Sequence, residues 1–356
     1  MLGLSLSFFK KFKNNLTGVI SFCFIVFIAL TSTFAYIIAP DSSQYANQMH
    51  LSIHSKPPGF ETLMLVEPNQ YKKRQSFFNR FFFGDKYPDN ETPISSYQIK
   101  GNKIFYEIYN NSFNSEKQAI EISLKNSPYV VKKTYLMGTD KFGRDFLSRI
   151  IVGSRISFCI GFIAVTISLI LGIFFGSLAG YFGGKLDSII MWIINVTWSI
   201  PTLLLVIAIT LALGKGFWQV FIAVGMTMWV EVARVVRGEV INIKGQQYIT
   251  AARALGFTDF RIIFRHILPN IMAPVIVISA ANFAGAILIE SGLSFLGIGA
   301  QPPISSWGAM IKAHYNDIIL GKAYLAIIPG ICIMMLVMSF MLIGNNLRDI
   351  LDVKTQ

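Results

Sequence analysis

The polar stretch Tyr248–Asn270, YITAARALGFTDFRIIFRHILPN, separates two long apolar runs and decides the fold around it. It is too charged to lie in lipid and too regularly patterned for an unstructured loop. Its first half is rich in alanine and leucine, which favour a helix, and Gly256 is the residue type that commonly follows a helix end. Thr258 is a suitable cap for a second helix, and Pro269 predicts a second break. The stretch therefore predicts two short helices joined at a glycine elbow, a shape suited to docking into a groove on another protein.

The composition of the whole chain is that of a membrane protein. Of its 356 residues, 53% are hydrophobic and only 14% are charged, whereas soluble domains average nearer 25% charged. Many of the cations behind the net charge of +12 flank apolar runs, where lipid head groups account for them without any nucleic-acid partner. The three cysteines all lie inside apolar runs and predict neither a disulfide framework nor a zinc site.

Six apolar runs predict an all-α polytopic membrane protein with six transmembrane helices. The first, within residues 1–39, follows a short basic segment and is longer than the apolar region of a signal peptide, which favours an uncleaved anchor. Pro201 interrupts the third run. Residues 291–322 are rich in glycine and proline and are predicted to form a surface or partly re-entrant loop. The other five helices are expected at about 156–180, 188–213, 217–234, 271–290 and 323–344.

Residues 40–135 differ in composition and predict a small α/β insert after the first helix. Within it, the alternation of Tyr97–Tyr106 predicts a hairpin that turns at Gly101-Asn102. Lys72-Lys73-Arg74 precedes a run of phenylalanines, which is compatible with a nucleic-acid surface. A membrane-apposed or small-domain core segment is the preferred interpretation, because a large external loop meets no nucleic acid.

The distribution of basic residues predicts the orientation in the membrane. With the N-terminus inside, the cytoplasmic segments carry twelve Lys and Arg residues and the two short external loops carry three. Long loops such as residues 40–155 are exempt from this rule. Both termini and the stretch Tyr248–Asn270 are therefore expected in the cytoplasm, and the insert is expected outside.

The segment Gly138–Asp145, GTDKFGRD, is dense in glycine, aspartate and arginine. Such a composition is compatible with phosphate or metal binding, but Asp140 and Asp145 lack companion ligands at metal-binding spacing. The preferred prediction is a tight turn followed by an amphipathic helix at the membrane interface, with Arg144 and Arg149 directed toward head groups.

Signatures of catalysis are missing from the sequence. There is no G-x-x-x-x-G-K-[ST], H-E-x-x-H or G-x-S-x-G, so the sequence predicts no catalytic residue, cofactor or metal site. The polar residues of the apolar runs are few, and Asn195 and Asn282 are predicted to be interhelical hydrogen-bond partners. Glu231, Arg234 and Glu290 lie near expected span ends. A transport function would need energy from a partner that binds the two-helix stretch.

Several motifs resemble one family. Ala251-Ala252-x-x-x-Gly256, followed by Leu268-Pro269, resembles the EAA loop of ABC importer permeases. Its context, AARALG with RHILPN, is similar to the dipeptide/oligopeptide/nickel family and, within it, to the C-type subunit. Residues 136–352 and the first span share the resemblance. Three further stretches agree with it: Gly138–Asp145 (GTDKFGRD), Gly180–Asp187 (GYFGGKLD) and Ser291–Met310 (SGLSFLGIGAQPPISSWGAM).

The resemblance implies a permease subunit of an ATP-driven importer that moves small peptides across the cell inner membrane by alternating access. It implies three kinds of partner besides lipid: a second, B-type permease, two ABC ATPase subunits that hydrolyse the ATP, and an extracytoplasmic substrate-binding protein. Residues 136–352 would form the permease core, with a coupling loop at 238–270 and a tail at 353–356. The residues implied to couple to the ATPases are Ala251, Ala252, Arg253, Gly256, Leu268 and Pro269.

Two residues depart from the family motif: Thr250 stands where glutamate is frequent, and His266 stands where isoleucine is general. The insert is also longer than in typical members. Three alternative functions stay open at this point. They are an importer of nickel or another small solute, a non-transport membrane scaffold that acts through the insert, and a channel.

Overall fold

The structure, a computed structural model, describes residues 11–69, 71, 75–100, 103–109, 119–123, 128–214 and 216–352. Within these ranges, five helices are long and apolar enough to cross a membrane, and a sixth crossing results if one bent helix pair is a single span. The predicted polytopic helical fold is confirmed. The five helices are α1 (Leu16–Thr33), α4 (Phe146–Phe182), α7 (Phe217–Lys244), α10 (Leu268–Leu296) and α12 (Tyr324–Asp352).

The bent pair consists of α5 (Gly184–Ser199) and α6 (Thr202–Leu213), whose axes meet at 95°. Proline has no N–H to donate and disfavours the helical conformation in the residue before it. Accordingly, Ile200 is extended, with φ −93° and ψ 128°, and Pro201 lies between the two helices. The predicted interruption at Pro201 is confirmed.

Helix α4 begins at Phe146, well before the expected residue 156. Asp145 caps it by accepting a hydrogen bond from the Ser148 backbone N–H at 3.0 Å. The prediction of a separate interfacial helix is therefore wrong, because that segment forms the first turns of the membrane helix. Gly153 does not break it; a β-carbon there would lie 3.2 Å from the Trp307 ring, so the glycine admits a neighbouring side chain.

Helices α4 and α7 pack against each other along a row of glycines on α4. A β-carbon at Gly172 would lie 2.4 Å from the β-carbon of Val232, and one at Gly176 would lie 2.5 Å from the Ala233 carbonyl oxygen. Small residues spaced by one turn let two helix backbones approach closely in a membrane. The pair therefore forms a tightly fitted unit at the centre of the fold.

The insert is a five-stranded antiparallel sheet. A short helix, α2 (Ala35–Ile38), connects the sheet to α1, and α3 (Phe77–Phe83) lies between the first two strands. The pairing of Tyr97 with Tyr106 confirms the predicted hairpin, whose turn at Gly101-Asn102 falls outside the described residues. The strands are β1 (Phe60–Glu67), β2 (Asn90–Lys100), β3 (Lys103–Ile108), β4 (Ala119–Ser123) and β5 (Tyr129–Tyr135). Across the sheet they lie in the order β4-β3-β2-β1-β5.

Helix α3 exposes most of its phenylalanines, with Phe77 and Phe78 about 70% accessible. The Phe81 ring meets Phe34, at the end of α1, edge-on at 5.8 Å. Arg155 of α4 donates a hydrogen bond to the Phe82 carbonyl oxygen at 2.8 Å. A small-domain core position is therefore wrong for the exposed rings, and the contact with the end of a spanning helix agrees with membrane apposition. Residues 72–74, the basic part of the motif, are outside the described ranges.

The segment predicted as a loop at 291–322 is more ordered than expected. Helix α10 continues to Leu296 and ends at Gly297, whose φ is +84°. A further helix, α11 (Trp307–His314), follows. Trp307 is buried and its indole N–H donates to the Ile150 carbonyl oxygen at 3.0 Å. The part of the segment around Trp307 is therefore packed onto α4, whereas residues 315–321 are mostly exposed, as a surface loop would be.

Candidate functional site

The glycine elbow of the opening stretch forms as predicted. Helix α8 (Gln247–Ala254) ends before Gly256, and α9 (Asp259–Ile262) follows. Gly256 has φ +77°, a conformation that side chains with a β-carbon rarely adopt. The Phe257 N–H returns to the Ala252 carbonyl oxygen at 3.1 Å and closes α8. A β-carbon on Gly256 would meet nothing within 4 Å, so the backbone, not space, requires glycine here.

The second half of the loop continues directly into the membrane. Thr258 caps α9 through a 3.4 Å bond from the Arg261 N–H, as predicted. A π-helical turn, Ile263–Ile267, then leads into α10. Pro269 lies in the first turn of α10, where a missing N–H costs little. The predicted break at Pro269 is therefore wrong, and any movement of α9 is passed through continuous helix to α10.

The inner face of the loop is anchored by apolar contacts to α4 and α7. Ile249 and Ala252 of α8 are buried, as are Ile262, Ile263 and Ile267 farther along. They share one cluster with residues of α4 and α7, so the loop is a packed element and not a free tether. The cluster partners on those two helices are Tyr181, Val232, Val236 and Val240.

Tyr181, near the end of α4, joins three parts of this region. Its hydroxyl donates to the Asp259 carboxylate at 2.5 Å. Its carbonyl oxygen accepts from the Lys244 ammonium at 2.5 Å, and the Arg253 guanidinium lies 5.1 Å from its ring centroid. Sequence reasoning missed this role, because the partners Asp259 and Lys244 lie 78 and 63 residues away in the chain.

Replacing Tyr181 with phenylalanine is expected to loosen the loop without unfolding the membrane helices. The change removes a hydrogen bond to a carboxylate, a contact with a net value of about 1.5–3 kcal/mol. Part of this value is lost to solvent, because Asp259 is exposed. We expect faster amide hydrogen exchange across 249–267 and unchanged exchange in α12. Equal exchange of the loop in the two proteins would contradict the assigned contact.

The six candidate coupling residues do not all face outward. Ala251, Arg253 and Pro269 are exposed and Leu268 is partly buried, but Ala252 is only 5% exposed. Ala252 is thus small because α8 packs against its own chain, whereas the exposed Ala251 leaves room for close approach of a partner. We name Ala251, Arg253, Leu255 and Gly256 the coupling surface; Leu255, 74% exposed, is its largest apolar side chain.

At the other end of α4, GTDKFGRD closes around Asp140. The Asp140 carboxylate accepts from the Arg144 side chain at 2.6 Å and lies 3.8 Å from Arg149. It also accepts the backbone N–H of Phe142 at 2.8 Å. Both arginines are buried, so the prediction that they face head groups is wrong. Pairing with the buried carboxylate offsets part of the free energy that is needed to take the two guanidinium groups out of water.

This network fastens the start of the insert to α4. Arg144 donates to the Asn47 side-chain oxygen at 3.0 Å. Gly143, with φ +74°, lies so close to the His50 carbonyl oxygen that a β-carbon would be 1.8 Å from it. No group of three or more His, Cys, Asp or Glu residues in the described ranges is placed to hold a metal ion. We name Asp140, Arg144, Arg149 and Asn47 the outer clamp.

The two asparagines of the membrane helices behave differently. Asn195 accepts a hydrogen bond from Arg234 of α7 at 3.2 Å, which confirms its interhelical role. Asn282 is 1% exposed, and its side-chain amide nitrogen finds no acceptor among the residues that the structure describes. The predicted hydrogen bond of that nitrogen is therefore not made within this part of the chain.

Residues 172–355 match the model of a family described as binding-protein-dependent transport system inner membrane component. The dipeptide transport system permease protein DppC of Bacillus subtilis (strain 168) is 38% identical over 242 residues, which are 68% of this chain and 76% of the relative. The glutathione transport system permease protein GsiD of Pectobacterium atrosepticum is 40% identical over 218 residues, 61% and 72% of the two chains.

The oligopeptide transport system permease protein OppC of Bacillus subtilis (strain 168) is 38% identical over 233 residues, 65% of this chain and 76% of the relative. A solved inward-facing structure of the MetNI methionine ABC transporter aligns with 57% of this chain and 97% of its own, at 18% identity and a TM-score of 0.48. The family model and the permease relatives show that the chain belongs to the family of binding-protein-dependent transport system inner membrane components, and it is a membrane-spanning importer subunit and not an enzyme.

Proposed function

We propose that this chain is the C-type permease subunit of an importer that carries small peptides into the cell. The substrate class is supported by three relatives whose names specify dipeptide, oligopeptide and glutathione transport, at 38–40% identity. In this proposal a B-type permease pairs with the chain, two ABC ATPases bind on the cytoplasmic side, and a binding protein delivers the peptide from outside.

The observation that carries the mechanism is the double attachment of the loop. Toward α10 the loop is continuous helix, since residues 259–296 form one run through the π-helical turn. Toward α4 it is held by the Tyr181–Asp259 hydrogen bond and the buried isoleucines. A partner that moves the coupling surface would therefore displace two membrane helices together, which is what alternating access requires.

Nucleotide would act by changing which permease state the ATPases bind more tightly. A partner shifts a two-state equilibrium only by its difference in affinity for the two states. The coupling surface supplies that difference if it is positioned differently in the inward-open and outward-open states. Ala251 allows close approach, Leu255 supplies apolar contact, and the Arg253 guanidinium is available to an acidic rim.

The orientation belongs to the same proposal. The basic residues between positions 234 and 265 support a cytoplasmic coupling surface, with both termini on the same side. The sheet of residues 40–135 then lies outside, fastened by the outer clamp. At that position it would lie over the translocation path and contact the arriving binding protein.

Affinity purification of the tagged chain from its native membranes in mild detergent tests the proposal. We expect a second permease and an ABC ATPase pair to co-purify. Proteoliposomes that contain this complex, with ATP inside and the binding protein outside, should accumulate a labelled dipeptide. Failure to recover an ATPase in several detergents, or accumulation of no peptide, would contradict the proposal.

A further inference from the structure

A cavity of about 330 Å³, with apolar walls and a few polar side chains, lies between the α5–α6 bend, α7 and α10. Glu231 and Asn282 both line it, together with three threonines and Trp198. Glu231 lies fourteen residues into the 28-residue helix α7, and Asn282 lies fourteen residues into the 29-residue helix α10. Both residues therefore lie within a long helix and not at its terminus.

Glu231 has no hydrogen bond or ion pair with any residue that the structure describes. None of the residues that line the cavity is basic. The next cation along α7, Arg234, does not line the cavity: its guanidinium lies 3.7 Å from the ring centroid of the lining residue Trp198 and donates to Asn195. The Glu231 side chain is exposed, and an ionisable group on the wall of a cavity between membrane helices typically marks a functional site.

Two threonines make the cavity an array of acceptors. The Thr197 hydroxyl donates its proton to the Ile193 carbonyl oxygen at 2.8 Å. The Thr227 hydroxyl donates in the same way to the Val224 carbonyl oxygen at 2.9 Å. With their protons committed, both hydroxyls can only accept hydrogen bonds from a molecule in the cavity. Together with Glu231 they suit a cation that carries several N–H donors.

Asn282 contributes a hydrogen-bond donor to the cavity. Its amide nitrogen is a buried donor without an acceptor among the described residues, and the side chain lines the same cavity. A buried donor is satisfied only when an acceptor comes to it. The cavity therefore offers a carboxylate and hydroxyl oxygens for a cation, and one N–H for a neutral acceptor close by.

We propose that this cavity binds the amino-terminal end of the transported peptide, with Glu231, Thr197 and Thr227 around its α-ammonium and Asn282 donating to its first carbonyl oxygen. The inference rests on the proposed function, since it assumes that the substrate is a peptide. An α-ammonium has three N–H donors, and the first peptide carbonyl is its near neighbour. An unmodified peptide thus presents both groups that the cavity complements.

The test uses the complete importer in proteoliposomes, with saturating binding protein and labelled alanyl-alanine. Glu231→Gln keeps the shape of the side chain and removes its charge. We expect the maximal import rate to fall at least tenfold. The peptide concentration at half-maximal rate, set by the binding protein, and the basal ATP hydrolysis should not change. Glu239→Gln, on the same helix but outside the cavity, is the matched control and should import at the wild-type rate.

N-acetyl-alanyl-alanine separates recognition from a general defect. It lacks the ammonium, so the wild type should import it at least tenfold more slowly than alanyl-alanine, whereas Glu231→Gln should move the two peptides at similar rates. If Glu231→Gln imports alanyl-alanine at the wild-type rate, or if the ratio of the import rates of the two peptides is the same as in the wild type, the inference is overturned while the proposed function stands. A wild-type complex that imports neither peptide would overturn the proposed function, and the inference with it.

Discussion

Replacing Asp140 with alanine is expected to destabilise the chain by about 3–5 kcal/mol, the cost of breaking a buried ion pair by removing one partner. Arg144 and Arg149 are 5% and 6% exposed, and both would be left without a carboxylate. The backbone N–H of Phe142 would also lose its acceptor. A drop in the thermal unfolding temperature of the purified chain, with new proteolytic cleavage near residues 41–56, is the measurable result.

Two further variants make the test specific. Glu61→Ala breaks the exposed pair with Lys132 on the sheet and should leave the unfolding temperature nearly unchanged. Asp140→Ala combined with Arg144→Met should recover part of the loss, because it removes one uncompensated charge. If Asp140→Ala unfolds at the wild-type temperature, the outer clamp does not stabilise this end of the molecule.

The second large effect is expected at Gly256. Gly256→Trp should reduce import by at least tenfold while the chain still inserts and binds the second permease. A residue with a β-carbon that is held at φ +77° is less stable than glycine by about 1–2 kcal/mol of conformational free energy. The indole would also occupy the open space in front of the elbow, where the proposal places an ATPase. Import and ATP hydrolysis measured on one preparation would show whether the two activities have separated.

A graded series distinguishes backbone strain from steric bulk. Gly256→Ala imposes the strain with a single methyl group, so its import should lie between those of the wild type and Gly256→Trp. Gly245→Ala is the matched control in the same region. Gly245 has φ −74°, and its β-carbon would meet only the Asn242 carbonyl oxygen, at 3.6 Å. Normal import by Gly256→Trp would count against coupling through this loop.

Features set by neighbouring residues were predictable from the sequence. The elbow needs only a glycine after one helix and a threonine before the next, and Gly256 and Thr258 take those roles. The bend at Pro201 follows from the chemistry of one residue. The hairpin of β2 and β3 follows from local alternation, but the position of β5 beside β1 does not, because those strands are far apart in the chain.

Features set by distant partners were not predictable. The burial of Arg144 was not predicted, although its carboxylate partner Asp140 is only four residues away, because the contact with Asn47 comes from a segment 97 residues away. Tyr181 meets Asp259 across 78 residues, so no local pattern indicated that it holds the loop. Proline usually interrupts a helix, but Pro269 does not. The π-helical turn before it leads the chain into α10, whose first turn accommodates proline.

The length of α4 has a mechanical consequence. Its 37 residues make a rod of about 55 Å, far longer than the roughly 30 Å hydrocarbon core. One end is fixed by the Asp140 network and the other by the contact with Asp259. Pivoted at one end, such a lever converts a tilt of about 5° into a displacement of about 5 Å at the other.

Coupling between two binding sites at the ends of such a helix is reciprocal. If ATPase binding below changes the affinity for the binding protein above by some factor, the binding protein must change ATPase affinity by that same factor. In the proposed importer, α4 would link the two sites, so that binding of the solute-loaded binding protein outside and binding of the ATPases inside would shift the same conformational equilibrium.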